Sequence, residues 1–488
     1  MGSALAALGL VLCLMAPAQD ARAQDSLPQL YAEAQRAQSA GDLAAATQKY
    51  EAIVKLRPEM AEAFANLGNL YYQQGKNDKA RDAYERALRL KPGLAGPHFF
   101  LGVIAFGAHD YAAALKHLRQ ADSLQPSNAQ IVAHLGYTEY ALSHYPEAVA
   151  EFEKTQALDA SNIDVLYHLS KSYGQLAKAA FLQLKKQFPD SPYTALARAQ
   201  AAEAGESWKD AAEQYSRALQ KMPGNPRLAA KARWAAAKVA NPSTPADSGA
   251  PDALIDASLQ YKDVQLAGEA LKTEAARFRD HVREAAGAPA GDKQVYIEAE
   301  SYQVLSYLTS LAVFELDPDS YRSHQLHAQL LEASNKDDEA IAEYLNVLKR
   351  NPDVQNIHFA IGTLYWKNQK FPEARGELEA ELKLNPSHPD ALYELGDIAA
   401  FSGDSQAAEK YFRAALKLRP GLTEAHYGLE KICTQDGRFD EALAHLRKVL
   451  EIDPSEATAH YRLAAVYRKM GRAADAEREL AIFNRTRQ

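Results

Sequence analysis

Proline recurs at one fixed interval, and this interval constrains the fold more than any other feature of the sequence. The prolines that share it form two series: Pro58, Pro92 and Pro126, then Pro352, Pro386, Pro420 and Pro454. Proline ends a helix because it lacks an amide hydrogen and crowds the preceding turn. A regular interval of this length indicates a chain built from one repeated supersecondary unit.

Residues 61–94 show the internal pattern of one unit. Apolar and small residues at i, i+3, i+4 and i+7 predict one face of a first helix: Phe64, Leu67, Gly68 and Tyr71. Gly75 interrupts this helix, and a second apolar stripe follows it: Ala80, Tyr84, Ala87 and Leu88. Because Gly68, Ala80 and Ala87 are small, we expect the two helices to approach closely at these positions.

The same register returns along most of the sequence. Leu101, Gly102 and Ala114 repeat it in one unit, and Leu395, Gly396 and Ala408 repeat it in a later one. This pattern resembles the tetratricopeptide repeat, a helix–turn–helix unit, in roughly ten to twelve copies. The resemblance implies an all-α fold: an α-solenoid of stacked hairpins that forms a superhelix with a concave groove.

The repeats are less regular in the middle of the chain. Residues 163–191 reach Pro189 early, and this shortened hairpin recurs later at a constant offset, as the pairs Tyr173/Tyr302 and Pro189/Pro318 show. We predict four segments: a signal peptide (1–23), an N-terminal array of about six units (24–225), an irregular helical segment with linkers (226–292), and a C-terminal array of about six units (293–488).

Two interpretations of the irregular segment remain open, namely decayed repeats that still stack in the solenoid, or a hinge. Linker composition marks residues 241–251 and 285–291. Between them, one face of a helix is predicted by four apolar positions: Leu271, Ala275, Phe278 and Val282.

The first residues predict export. An apolar run spans Leu5–Met15, and Ala21-Arg22-Ala23 follows it, so we expect cleavage between Ala23 and Gln24 and a periplasmic or secreted protein. The run lacks a preceding basic residue, and Cys13 leaves a lipoprotein signal as the alternative. The apolar run is too short to span a bilayer, and no other segment is long and apolar enough.

The resemblance also predicts which residues face a partner, because the first helices of such repeats line the concave groove. The residues predicted to line it are Asn66, Asn69, Tyr72, Phe99, Phe100, Phe106, His134, Tyr137, Tyr140, Tyr167, Trp366, Tyr393, Tyr427 and Tyr461. His168 occupies the same sixth position as His134 in the adjacent unit. Aromatic side chains dominate the energetics of interfaces, which favours a binding role for this set.

Catalytic chemistry finds no support in the sequence. Phosphate-binding loops, paired cysteines and H-E-x-x-H motifs are all lacking, and we predict no cofactor and no metal. Five histidines recur at the fourth position of their units, which predicts a packing role: His98, His324, His358, His426 and His460. Cys433 is expected to be a buried small hydrophobic residue.

These observations predict a non-catalytic interaction scaffold that binds an extended peptide or protein in its groove. The net charge of -8 argues against nucleic acid as a partner. The alternatives are a module that binds glycans or polysaccharides and an accessory subunit of an envelope export complex. The polar C-terminal end can cap the array, so we expect a monomer.

Overall fold

The computed structural model describes residues 18–245, 268–287 and 291–486, and every regular element within these ranges is an α-helix. The chain divides into two compact units, the first ending at Leu316 and the second beginning at Asp317. The predicted apolar signal run, Leu5–Met15, lies outside the described residues, as does much of the predicted linker 241–251. None of the described helices is long and apolar enough to cross a membrane.

The first unit contains the helices α1 (Ala18–Ser39), α2 (Leu43–Leu56), α3 (Ala61–Gln73), α4 (Asn77–Leu90), α5 (Ala95–Gly107), α6 (Tyr111–Leu124), α7 (Ala129–Ala141), α8 (Tyr145–Leu158), α9 (Ile163–Gln187), α10 (Pro192–Ala204), α11 (Trp208–Lys221), α12 (Pro226–Ala240), α13 (Gly268–Gly287) and α14 (Asp292–Leu316). The second unit contains α15 (Tyr321–Ala333), α16 (Asp337–Arg350), α17 (Ile357–Lys367), α18 (Phe371–Leu384), α19 (Pro389–Phe401), α20 (Ser405–Leu418), α21 (Thr423–Gln435), α22 (Phe439–Ile452), α23 (Ala457–Lys469) and α24 (Ala473–Thr486). Most of these pair as successive antiparallel hairpins, which confirms the predicted repeat architecture.

One residue in each hairpin turn adopts left-handed backbone geometry, and these residues follow the repeat period. The first series is Gly41, Gly75, His109 and Ser143, with Glu206 in the turn between α10 and α11 after the shortened unit, and the second is Asn335, Gln369, Gly403, Gly437 and Gly471. Glycine adopts a positive φ without the steric cost that a Cβ atom imposes. The turn therefore keeps its left-handed geometry even where the sequence lacks glycine, as at Ser143, where φ is 62°.

The two helices of a hairpin touch most closely at the glycine that the sequence pattern identified. A Cβ atom added to Gly68 would lie 2.6 Å from Cε1 of Tyr84, and one added to Gly136 would lie 2.5 Å from Cε1 of Phe152. Neither distance is compatible with ordinary van der Waals packing. The prediction of close approach at Gly68 is confirmed, and the aromatic ring of the second helix is what occupies the space.

The shortened hairpin that begins at residue 163 is not a hairpin but one continuous helix. A turn residue one period after Ser143 would be Ala177, yet α9 passes through this position and continues to Gln187. Compared with the regular spacing, this unit is about five residues short, which removes the residues that would form the turn. Its later copy is the equally long helix α14, Asp292–Leu316.

The two long helices α9 and α14 pack against each other in antiparallel orientation. Near the start of α9, the Ser170 hydroxyl lies 2.7 Å from the hydroxyl of Ser310 and donates to the Ser306 carbonyl at 2.9 Å. Just beyond the end of α9, the Ser191 hydroxyl donates to the Asp292 carboxylate at the start of α14 at 2.8 Å. Each fused helix thus gains from its copy the packing partner that it lost with its own hairpin.

Helix α13 belongs to the core of the first unit. Leu271, Ala275 and Phe278 are buried and pack in one cluster with Phe152 of α8 and with residues of α9 and α14, while Val282 is half-buried against it. The predicted helix face in the irregular segment is therefore confirmed. The predicted C-terminal array began at residue 293, but α14 lies in the first compact unit, because it packs against α9 and α13.

The five recurring histidines each connect the two helices of their own hairpin. Their Nδ1 atoms lie 2.5–3.2 Å from a side chain 19 residues later, in the pairs His98/His117, His324/Glu343, His358/Glu377, His426/His445 and His460/Glu479. In three of these hairpins the histidine Nε2 atom also contacts the carbonyl of the repeat proline six residues earlier. The predicted packing role is confirmed.

Candidate binding surface on the first helices

The first helices of neighbouring hairpins lie side by side in each unit. In the first unit, α3 contacts α5, α5 contacts α7, and α7 contacts α9. In the second unit, α17 contacts α19, and α19 contacts α21. The first helices of each set thus lie next to one another, and most of the predicted groove residues belong to these helices.

A connected series of aromatic rings crosses this face of the first unit. The centroid distances between consecutive rings run from 4.9 to 5.8 Å, along the path Tyr72, Phe100, Phe99, His134, Tyr137, His168 and then Tyr140 or Tyr167. We call these eight residues the aromatic ladder. It spans the four helices α3, α5, α7 and α9, so rings from three hairpins and one long helix form one surface rather than isolated contacts.

The ladder rests on the core at two points. The Phe100 ring stacks on the buried Tyr84 ring with planes inclined by 3°, and Tyr137 contacts the buried Phe152 ring at 5.3 Å. Most of the ladder rings are half-buried, whereas Tyr167 is only 6% exposed and contributes mainly to packing. A surface supported in this way holds its rings in fixed positions, which lowers the entropy cost of binding.

The ladder carries little charge. Burial lowers the pKa of His134, which favours the neutral ring, and the Gln130 carbonyl contacts its Nδ1 atom at 2.8 Å. The Nδ1 atom of His168 contacts the Asp164 carbonyl at the same distance. The Tyr137 ring lies against both histidines, and each of them has one nitrogen held by its own helix.

The two asparagines predicted for the groove are engaged by tyrosines. The Asn66 amide donates to the hydroxyls of Tyr31 and Tyr50 at 2.9 and 3.2 Å. The Tyr84 hydroxyl donates to the Asn69 amide oxygen at 2.8 Å. Both side chains already hydrogen-bond within the chain, and their packing role was not visible in the sequence because their partners lie 15 to 35 residues away.

Phe106 lies apart from the ladder. Its ring contacts Tyr111 at 5.4 Å, and Tyr111 contacts His109 in the hairpin turn. Phe106 nevertheless shares a helix face with Phe99, since both rings pack against the buried cluster of Ala114, Leu118 and Leu135.

The corresponding face of the second unit is polar. The Trp366 indole donates to the Asp397 carboxylate at 3.0 Å, and the Thr363 hydroxyl donates to the Glu394 carboxylate at 2.9 Å. Burial is the main cause that raises the pKa of Glu394 to about 7; the Thr363 hydrogen bond opposes it, and the nearby carboxylates of Asp390 and Asp397 add to it. This face therefore holds buried acids rather than a ring series.

The remaining predicted tyrosines of the second unit are also separate from one another. Tyr393 contacts the buried Phe412 ring at 5.9 Å. The Arg462 guanidinium lies 4.8 Å from the centre of the Tyr427 ring and forms an ion pair with Glu430 at 2.6 Å. Tyr461 is the most exposed of the predicted set, at 53%, and its ring lies 5.4 Å from that of Phe483.

Within the described residues, one group of side chains has the composition of a metal site: Cys433, Glu441 and His445. Glu441 is already paired with Arg413 and Arg438, so a cation would have to displace two guanidinium groups. Burial raises the pKa of the Cys433 thiol to about 11, which disfavours the thiolate that metals bind. Cys433 is fully buried, as predicted from the sequence.

Comparison with known proteins identifies the repeat. Models described as tetratricopeptide repeat match residues 61–94, 101–163, 174–226, 325–374 and 359–423, and a model described as TPR repeat matches residues 431–471. These matches together span more than half of the chain. Among curated proteins, none matches the sequence.

Several solved structures are similar over part or all of the chain. YrrB, described as a TPR protein with an unusual peptide-binding site, is 24% identical, with 36% of this chain and 89% of YrrB covered and a TM-score of 0.32. MamA from Desulfovibrio magneticus RS-1 is 16% identical over 35% of this chain and 96% of its own, with a TM-score of 0.33. A chain of the APC/C hetero-tetramer Cut9–Hcn1 is 14% identical, with 94% of both chains covered and a TM-score of 0.34. These low scores add nothing to the family models.

Proposed function

Since this chain belongs to the tetratricopeptide repeat family, whose members act as protein-interaction scaffolds, we propose that it binds an extended peptide segment of a partner protein along the aromatic ladder. The observation that carries the proposal is the unbroken contact of rings from Tyr72 to His168 across four helices. An extended peptide places successive side chains along its length, and a row of rings offers each of them an apolar contact.

The chemistry of the ladder favours a partner segment rich in apolar and aromatic side chains. Aromatic rings supply large contact area at low conformational cost and carry much of the binding energy at interfaces. The burial that keeps His134 neutral removes a charge from the middle of the surface. A strongly acidic or basic peptide would find little to pair with there.

The proposal can be tested by selecting a displayed peptide library against the full chain and measuring the affinity of the enriched peptides. We expect the double substitution Phe99→Ala/Tyr137→Ala to weaken binding at least tenfold, because each removes a ring that a partner would contact. Circular dichroism checks that the variant keeps its helical content.

A matched control removes two rings elsewhere. Phe371 and Phe401 form a ring pair in the second unit, with centroids 4.5 Å apart, and Phe401 is 71% exposed. Phe371→Ala/Phe401→Ala should leave peptide affinity unchanged. Equal weakening by both pairs, or undiminished binding by the ladder variant, would contradict the assignment to the ladder.

Two other functions are distinguished by the same reagents. A polysaccharide that binds the wild type and loses affinity in the ladder variant, with no peptide enriched, would replace the peptide proposal. That outcome has less support, since the Asn66 amide nitrogen and the Asn69 amide oxygen already hydrogen-bond to tyrosines within the chain. Recovery from cells in a stoichiometric complex with one protein would instead favour an accessory subunit, including one of an export complex.

We also propose that the mature protein begins at Gln24 and acts in the periplasm or outside the cell. The support is the apolar run Leu5–Met15 followed by Ala21-Arg22-Ala23. The proposed cleavage point falls inside α1 and would leave Gln24 as the first residue of that helix. Mass spectrometry of the protein from fractionated cells tests this, and an intact Met1 in a cytoplasmic fraction would contradict it.

A further inference from the structure

A pocket of about 640 Å³ lies in the first unit between α9, α10 and α14. Its size falls within the range of about 300–1,000 Å³ that is common for small-molecule sites. Its walls are mainly apolar, and the residues that form them include Ala177, Phe181, Leu182, Leu184, Ala197 and Ala201. Leu182 is 57% exposed, so apolar surface that the fold does not cover borders the pocket.

Three cations line the same pocket. Lys178 and Lys185 are one heptad apart on α9 and therefore share a face, and Arg198 lies opposite on α10. None of the three forms an ion pair or hydrogen bond with any residue of the described ranges. By contrast, Lys231 nearby on α12 pairs with Glu203 at 3.1 Å. One acid, Glu300, also lines the pocket, so the three cations outnumber the acids and the net charge of the lining is positive.

These three cations are not a general property of the shortened repeat. The constant offset that relates Tyr173 to Tyr302 also relates the pocket helix α9 to its copy α14. At the positions that correspond to Lys178, Lys185 and Arg198, the second copy has Tyr307, Phe314 and His327. The two copies share tyrosines and prolines at corresponding positions, but the three cations occur only in the first copy. Stacking of the helices therefore does not require lysine or arginine at these positions.

We propose that this pocket binds an anionic amphiphile, with an apolar chain between α9, α10 and α14 and a carboxylate or phosphate head at Lys178, Lys185 and Arg198. The apolar walls would shelter the chain from water, and the three cations would pair with the head. This site lies beside the two long helices and is separate from the ladder residues, so it adds a second ligand class to the proposed peptide scaffold.

Calorimetric titration of the full chain with saturated carboxylates from decanoate to hexadecanoate, below their micellar concentrations, tests the proposal. We expect one molecule bound per chain and an affinity that rises about three- to fourfold per added methylene until the pocket is filled. The substitutions Lys178→Gln, Lys185→Gln and Arg198→Gln together should weaken carboxylate binding at least tenfold. They should change the affinity for a 1-alkanol of the same length by less than about threefold, because the alcohol carries no charge.

The matched control is Lys186→Gln, which removes a neighbouring exposed lysine on α9 that does not line the pocket. It should bind carboxylates like the wild type. Ala197→Trp, at a half-buried position of the pocket wall, should abolish binding by filling the pocket, and circular dichroism would verify that this variant is folded. The glutamine variant keeps the test decisive if the tryptophan variant does not fold.

Flotation with phosphatidylglycerol vesicles distinguishes a lipid headgroup from a free carboxylate. Flotation that the glutamine variant loses would assign the headgroup of an anionic lipid, whereas carboxylate binding without flotation would assign a free acid. The proposal is overturned if the folded wild type binds neither, if the glutamine variant binds carboxylates as tightly as the wild type, or if folded Ala197→Trp retains binding.

Discussion

The rings of Tyr173 and Tyr302 stack on each other, with centroids 6.2 Å apart and planes inclined by 29°. The two tyrosines hold the same position in two copies of one shortened repeat, so the contact joins equivalent points of α9 and α14. A helix that has lost its hairpin turn cannot cover its own apolar face, since it no longer folds back. The two copies cover each other instead, which makes the first half of the chain depend on residues near position 300.

This dependence predicts that damage to α9 spreads to α14. Leu169→Ala removes a fully buried side chain from the cluster that α8, α9, α13 and α14 share, and should cost about 2–4 kcal/mol. Hydrogen exchange should become faster in α9, α13 and α14 and stay unchanged in α23. The control Leu182→Ala, at an exposed position on the same helix, should change stability by less than about 0.5 kcal/mol. Faster exchange confined to α9 would contradict the coupling.

A second prediction concerns the glycines at the hairpin contacts. Gly136→Ala should destabilise its hairpin by about 1–3 kcal/mol, because the new methyl group would meet the Phe152 ring at 2.5 Å. Gly107→Ala provides the control, since a Cβ atom there meets nothing within 4 Å and alanine favours the helix by about 1 kcal/mol. Urea unfolding monitored by circular dichroism should rank the three proteins with Gly136→Ala lowest. Equal midpoints for both variants would contradict a role for the close contact.

The repeat period predicted most of the fold because each unit repeats the same local sequence features, namely two apolar stripes, a break between the helices and a terminal proline. The repeat period did not predict the pairing of α9 with α14. Periodicity reports how a residue relates to its own helix, whereas Ser170 and Ser310 meet across 140 residues of chain. The constant offset between the two copies was visible, but its meaning depends on the loss of the turn in both of them.

The sequence predicted where the residues of the candidate binding surface lie, but not which side chains they contact. The sequence placed Tyr72, Phe99 and Tyr137 on first helices, and there they form part of the ladder. It did not reveal that Asn66 and Asn69 hydrogen-bond to tyrosines of other helices, because exposure at a repeat position depends on the side chains of neighbouring units. Lys178, Lys185 and Arg198 carried no motif, and only the three-dimensional pocket brings them together.

The left-handed turn residues give a third prediction. Ser143→Gly should stabilise the α7–α8 hairpin by up to about 1 kcal/mol, because serine carries a Cβ atom at a φ of 62° and glycine does not. Asn335→Gly should gain less, since asparagine tolerates this geometry better than most residues. The thermal midpoint of each variant measures the difference, and a lower midpoint for Ser143→Gly would contradict the assigned strain.

The last prediction uses the buried acid of the second unit. Burial raises the pKa of Glu394 to about 7, above the ordinary value near 4.5 that it has when unfolded. Below pH 4.5 the carboxyl is protonated in both the folded and the unfolded state, so its burial does not lower the free energy of unfolding. As pH rises to 7 the unfolded state ionises more readily, so the folded state loses stability, by about 3 kcal/mol in full above pH 7.

Glu394→Gln should therefore stabilise the second unit at pH 8 and have little effect at pH 4, while its amide oxygen still accepts the Thr363 hydroxyl. Hydrogen exchange of α17 and α19 in both proteins at the two pH values measures this difference. Glu409 provides the contrast, because Arg438 and Arg413 lower its pKa to about 2, so the stability that it contributes is lost only as pH falls below about 4.5. Replacement of Glu409 by glutamine should lower the free energy of unfolding by the same amount at pH 6 and pH 8. A Glu394→Gln variant with the same stability difference at pH 4 and pH 8 would show that this carboxyl titrates in its ordinary range.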